Sequence, residues 1–268
     1  PLISVAVIDP SSIASTSARL KSIAITTNGF LTRRVLDGCR RVLSAAKRAG
    51  IDLVVVCAMD AVGEMHDAIR QYPGGWRRVN ETIQGLNRLR ADFSNLVIGL
   101  KTTILPINVG QLDAIVRYAR KNDLFTIISP CIITKGRYLN PDRAKALAFN
   151  KEAIQEMMRF FHGQTSRWSF HDACLLRYFK TGRMKKICSC GFNYFFIRSQ
   201  GALFPCPIID ASPGNVMQEP IETLLATDTA ARIRRHAGRF SECRDCTEPG
   251  LERYSLPCDG WTYLAMLP

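Results

Sequence analysis

Apolar positions along the chain alternate between short β-rich runs and longer stripes at helical spacing. Residues 21–27 are β-rich and apolar and run into Asn28-Gly29. Val35, Leu36, Cys39, Val42, Leu43 and Ala46 then fall on one helical stripe, with Gly50 placed as its stop. Residues 53–58, Leu-Val-Val-Val-Cys-Ala, are continuously apolar, as a parallel strand covered on both faces requires. The cycle repeats with a helix through Val79, Ile83, Leu86 and Leu89 and a strand over 96–100. It repeats again with a helix carrying Leu112, Ile115, Val116 and Ala119, for which Asn108 and Gln111 are a plausible N-cap pair, and a strand over 124–129. Residues 3–8 also read locally as a strand. Asn140-Pro141-Asp142 predicts the start of a long helix with Ala146, Ile154, Met157, Met158 and Phe161. Strands alternating with amphipathic helices predict parallel βαβ units. The four clear strands are too few to close an eight-stranded barrel.

After Lys180 the pattern changes. The tail is rich in Cys, Gly and Pro, with a hairpin-like stretch over 192–197 and 202–204 and one amphipathic helix over about 221–236 leading to Cys243. The expected organisation is an α/β region over 1–180 and a small Cys-rich region over 181–268.

Composition narrows the class. The chain has 268 residues, 47% hydrophobic and 22% charged, ordinary globular values. No apolar run reaches the roughly 18 residues of a membrane-crossing helix, so no membrane role is expected. The recorded start shows no secretory signal, and Cys39 and Cys57 lie inside apolar patterns as reduced core thiols do. A reducing cytoplasm is therefore expected, where clustered cysteines hold metal more often than they form disulfides.

Of the ten cysteines, Cys39, Cys57, Cys131 and Cys174 stand alone and read as packed thiols. Cys188, Cys190, Cys206, Cys243, Cys246 and Cys258 crowd into the last 81 residues. Cys243-Arg-Asp-Cys246 lets two thiolates approach one centre from a single turn. With Cys206 and the Cys188/Cys190 pair at the other end of the tail, four soft ligands for zinc or an iron–sulfur cluster are at hand. Spacing alone does not separate those two metals. The histidines (His66, His162, His171, His236) show no ligand spacing and read as surface or satisfied core groups.

Cys188-Ser-Cys190-Gly191, Gly201-Ala-Leu-Phe-Pro-Cys206, Gly214-Asn215 and Cys243-x-x-Cys246 resemble the SPASM/twitch extension of radical S-adenosylmethionine (SAM) enzymes. That pattern is a cysteine, nine to fifteen residues, glycine, four residues, cysteine, and later C-x-x-C. Both Cys188 and Cys190 fit its first position. Thr26-Thr27-Asn28-Gly29 is similar to the family's strand that approaches the ribose and methionine of SAM, and Cys57-Ala-Met-Asp60 to its next strand, where Ser-x-Asp is commoner. The resemblance covers nearly all of residues 20–260.

The resemblance implies a partial (βα)6 barrel that lacks its first strands, followed by a twitch-type domain with one auxiliary [4Fe–4S] cluster. It implies Cys206, Cys243, Cys246 and either Cys188 or Cys190 as metal ligands, and Thr27, Asn28, Asp60 and Lys101 as SAM-facing residues. The activity implied is that of an oxidoreductase or maturase acting on a peptide or a cofactor precursor. That chemistry needs a C-x-x-x-C-x-x-C loop for a second [4Fe–4S] cluster and a Gly-Gly-Glu motif for SAM, and these 268 residues contain neither. Pro1-Leu2 looks like the text that follows Gly-Gly-Glu in the family, although the family would place a helix start where 3–8 reads as a strand. The expectation is a back part of a longer enzyme, with SAM and the second cluster bound in the intact parent only. A chain that merely holds zinc or a cluster as an interaction protein is the alternative.

Lys+Arg outnumber Asp+Glu 36 to 23, a formal net charge of +13. Arg183, Lys185 and Lys186 precede Cys188, and Arg232, Arg234 and Arg235 lie on the tail helix. Without interleaved aromatics nucleic acid is not the expected partner. A peptide or small-molecule substrate and a reductant protein are, with the cations offsetting an anionic thiolate site.

Overall fold

The computed structural model describes residues 22–135, 138–164, 170–185, 188, 190–192 and 195–248. The expected strand over 3–8 and Cys258 lie outside them. The chain divides into two compact units, residues 1–128 and 129–268.

In the first unit the apolar runs become strands β1 (Ser22–Thr27), β2 (Asp52–Ala58) and β3 (Leu96–Ile104), with β4 (Phe125–Pro130) completing a four-stranded sheet in the order β1-β2-β3-β4. β1 pairs parallel with β2, and β2 parallel with β3, in a register that aligns Thr27, Cys57 and Leu100. The helices between them are α1 (Thr32–Arg48), α2 (Glu64–Arg70), α3 (Gly75–Asp92) and α4 (Leu112–Lys121). Their apolar stripes cover the sheet: Leu43, Ile83, Leu86, Leu53, Leu100 and Ile115 are fully buried. Each such side chain contributes about 1.5–3 kcal/mol of burial. Gly50 ends α1 as the pattern requires, with φ +67° and its N–H donating to Lys47 O.

Three details depart from the sequence reading. Asn108 does not cap α4 through its side chain. Fully buried, it donates from Nδ2 to Asp60 O at 2.7 Å and Thr103 O at 3.0 Å and accepts from Leu105 N at 2.7 Å. It stitches the loop after β3 to the loop after β2, a use that overrides its capping tendency. β3 also runs on to Ile104, because Thr102 turns inward and donates from its hydroxyl to Met59 O at 2.6 Å. And α3 starts on a carboxylate from another helix: Asp67 accepts from Gly74 N at 2.7 Å and Trp76 N at 2.6 Å, satisfying first-turn donors.

In the second unit, the long helix expected from Asn140 begins later. Residues 141–143 form a single 3₁₀ turn, and the helix proper is α5 (Lys151–Gln164), so Ala146 lies outside it. Asn150 Oδ1 accepts from Ala153 N at 2.8 Å and supplies the N-terminal cap that Asn140 does not. α5 packs on α6 (Phe170–Thr181), burying Met157, Phe161 and Leu175.

The tail opens with a three-stranded antiparallel sheet: β5 (Phe196–Ile197), β6 (Ala202–Phe204) and β7 (Gly214–Asn215). The β5–β6 hairpin agrees with the sequence reading, with Phe196 opposite Phe204 and Ile197 opposite Leu203. The single helix expected over 221–236 is two, α7 (Ile221–Ala226) and α8 (Asp228–Arg235). Thr227 breaks it: its backbone is extended and its Oγ1 accepts from Ala230 N, an N-cap at the start of α8.

Candidate metal centre

Gly201 closes the β5–β6 turn, donating from N to Arg198 O at 2.8 Å with φ +86°. A Cβ there would run into Asn215 Oδ1, so only glycine brings β7 this close. The hairpin delivers Cys206 five residues beyond that glycine, 4% exposed. Ile208 N–H donates to the Cys206 sulfur at 3.4 Å. The C-x-x-C pair sits on a 3₁₀ turn, Ser241–Asp245, with Cys246 directly after it. Met184 N donates to Arg244 O at 2.7 Å and ties that turn to the segment leading toward Cys188.

These pieces bring all five expected thiols, Cys188, Cys190, Cys206, Cys243 and Cys246, to the wall of one cavity of about 590 Å³. Cys190, Cys206 and Cys246 are buried with Ile209 and Ile233, and Cys188 and Phe240 pack against them. Cys190 sits between two other thiols. Its hydrogen bonds to Cys188 and then Cys206 push it up and hold its proton, while the same bond from Cys190 draws Cys206 below the usual thiol range. Burial raises Cys243. Arg177, Arg183 and Lys185 line the same cavity, so cations face the sulfurs. Arg234 half-buries its guanidinium and donates to Leu225 O at 2.7 Å, the carbonyl at the α7–α8 break.

Among the described residues no three His, Cys, Asp or Glu side chains are placed to hold one ion. A lone zinc needs its sulfurs about 2.3 Å from a single centre, whereas a cluster takes thiolates spread around several irons. Soft thiolates are donors that either zinc or an iron–sulfur cluster takes, so the chemistry of the set fits both.

The four SAM-facing candidates lie along the C-terminal edge of the parallel sheet, where ligands of such sheets bind. Thr27 ends β1 and its Oγ1 accepts from Gly29 N at 3.1 Å; Asn28 Oδ1 accepts from Phe30 N at 3.2 Å. Gly29 has φ +71°, and a Cβ would press on Val79 at 2.7 Å. Lys101 is in register with Ala58 on β3. Asp60 is 4% exposed and already engaged: its carboxylate accepts from Thr103 N at 3.0 Å and pairs with Arg70 at 2.6 Å. Its own N–H donates to His66 Nδ1 at 3.2 Å. His66 is fully buried and is held below the usual imidazole range by that burial and then by Arg70, against the opposing pull of Asp60 and Asp67. Sequence reading found Asp60 but not Arg70, which lies ten residues on with no motif to mark it.

The lone thiols behave as expected in part. Cys39 and Cys57 are buried, and loss of water pushes them up to about 11 and about 12. Such thiols are inert at neutral pH. Cys174 is buried and donates to Lys185 O at 3.8 Å. Cys131 is different: it is half-buried in a second cavity's wall and donates to Leu147 O at 3.8 Å. Among the described residues no helix is long and apolar enough to cross a membrane.

Residues 188–247 match the SPASM family, an iron–sulfur cluster-binding domain. The chain is 22% identical over 271 residues to the AdoMet-dependent heme synthase of Methanosarcina barkeri, covering 91% of this chain and 70% of that one. It shares a fold with hexahistidine-tagged anSMEcpe with bound AdoMet, at a TM-score of 0.54 and 16% identity, over 91% of this chain and 70% of the other. Native anSMEcpe with bound AdoMet and Cp18Cys peptide matches at a TM-score of 0.54 and 14% identity, over 91% and 74%. Together these matches support the resemblance to a radical SAM enzyme with a SPASM domain.

Proposed function

We propose that this chain belongs to a radical SAM iron–sulfur oxidoreductase or maturase acting on a peptide or a cofactor precursor. The observation that carries this reading is the convergence of five thiols on one cavity inside the region matching SPASM. In this reading the first unit belongs to a partial (βα)6 barrel and the tail is a twitch-type domain.

Cys206, Cys243, Cys246 and one of Cys188 or Cys190 would hold a [4Fe–4S] cluster. When bound, that group supplies one-electron redox chemistry. The chain's own residues set its surroundings. The Ile208 N–H already aimed at the Cys206 sulfur favours the thiolate, and Arg177, Arg183 and Lys185 offset the charge of four thiolates. Thr27, Asn28 and Lys101 would face SAM at the sheet edge. Asp60 would act there as a positioning residue, its carboxylate holding the β2 and β3 loops together. A reductant protein would deliver the electron. By itself this stretch, without C-x-x-x-C-x-x-C, is expected to leave SAM uncleaved.

Anaerobic purification of the 268-residue chain with iron, sulfide and zinc counts tests this. About four irons and about four sulfides per chain, with no deoxyadenosine formed on adding SAM and reductant, is the expected result. Near-stoichiometric zinc without sulfide would end the cluster assignment and favour an interaction protein held together by zinc. Deoxyadenosine made by this chain alone would contradict its inability to cleave SAM.

A further inference from the structure

A second cavity lies within the same unit, about 550 Å³ in volume, against the first. The two share Ile208 and Cys246 in their walls, so an occupant of the second would rest against the wall of the metal centre. Its interior is apolar, built from Ile132, Leu147, Phe149 and Phe179 among others. Its polar lining is acidic, with Asp210, Glu242 and Asp245 against the one ammonium of Lys135.

That sign runs against the rest of the molecule, which carries +13. In the lining of this cavity carboxylates outnumber cations three to one. Among the described residues none of the three forms an ion pair. Asp245 accepts a hydrogen bond from the Tyr178 hydroxyl at 3.3 Å, and Glu242 one from the Ser241 hydroxyl at 2.8 Å, both neutral donors. Three exposed carboxylates left unpaired beside an apolar hollow, in a protein rich in cations, complement a ligand that brings its own positive charge. The volume falls in the range of about 300–1,000 Å³ typical of small-ligand sites and suits a few side chains, not a flat interface.

We propose that this cavity is a substrate subsite for a peptide segment carrying a Lys or Arg side chain next to apolar ones. The apolar residues would seat between Ile132, Leu147 and Phe179, and the cation would meet Asp210, Glu242 and Asp245. The proposal deepens the reading above, since it makes the substrate a basic peptide bound beside the thiol cavity.

The test is calorimetric titration of the anaerobically purified 268-residue chain with three capped tripeptides: acetyl-Leu-Lys-Phe-amide and its norleucine and glutamate counterparts. The lysine peptide should bind about fivefold or more tightly than the glutamate one, with the difference shrinking as salt rises. The Asp210→Asn, Glu242→Gln double variant should remove that preference and leave the norleucine peptide unchanged. Ala148→Trp, which fills the cavity from a surface position, should abolish binding of both. Lysine and glutamate peptides binding within about twofold of each other would overturn the proposal, as would affinity indifferent to these substitutions or no binding at all. Iron and sulfide counted on the same preparation report separately on the cluster, because this binding does not require it.

Discussion

Asp60 and Arg70 should be energetically coupled, and the coupling should show which role Asp60 has. Asn at 60 keeps the shape and one acceptor for Thr103 N but removes the charge opposite Arg70. Their nearest atoms are 2.6 Å apart, with the carboxylate side chain 6% exposed and the guanidinium 30%. Fully exposed pairs contribute about 0–1 kcal/mol, and breaking a fully buried one costs about 3–5 kcal/mol. Water reaches one partner here, which screens part of the attraction. An intermediate coupling of about 2 kcal/mol follows. Asp60→Asn and Arg70→Met should each lose about 3 kcal/mol, because each strands the other partner. The double variant should lose about 4 kcal/mol, not the sum. Urea unfolding of the four proteins under anaerobic conditions, read by far-ultraviolet circular dichroism, measures this. A coupling below about 0.5 kcal/mol would refute the argument that this pair fastens the sheet edge.

Acidification should weaken the first unit through His66. Its folded pKa lies below the unfolded value, so its contribution is present above about pH 6.5 and lost as pH falls through the folded pKa. A His66→Gln variant should show a flatter decline between about pH 6.5 and 5 in a urea-midpoint series, and an unchanged slope would count against a buried neutral ring. In the tail, Gly201→Ala must hold alanine at φ +86° with its Cβ in the Asn215 side chain. A loss of about 2 kcal/mol or more is expected, with lower iron retention after desalting; wild-type melting and retention would mean the turn relaxes freely.

Much of the fold was legible because it is local. The β2 run had to be a covered strand, since nothing in its seven residues is polar except Asp52 at its mouth. The stripe of α1 gave its buried face, with Cys39, Val42, Leu43 and Ala46 all inside. The helix breaks were misread where one side chain decided them. Thr227-Asp228 carried an N-cap signal that the apolar periodicity on either side masked, and Asn150 carried one that Asn140-Pro141 outshone. The five thiols were legible as a set from residue type and spacing, and the structure brings them to one cavity.

What sequence determined, then, was the alternation of strands and helices in the first unit and the set of five candidate thiols in the tail. Both follow from backbone periodicity and donor chemistry, which are properties of a few neighbouring residues. Tertiary structure alone decided that Asp60 meets Arg70, His66, Thr103 and Asn108, up to 48 positions away. It alone put Cys190 between Cys188 and Cys206, and gathered Asp210, Glu242 and Asp245 around an apolar hollow beside Cys246. Side chains far apart in the chain become neighbours only through packing. No spacing rule encodes which charges that packing leaves unpaired.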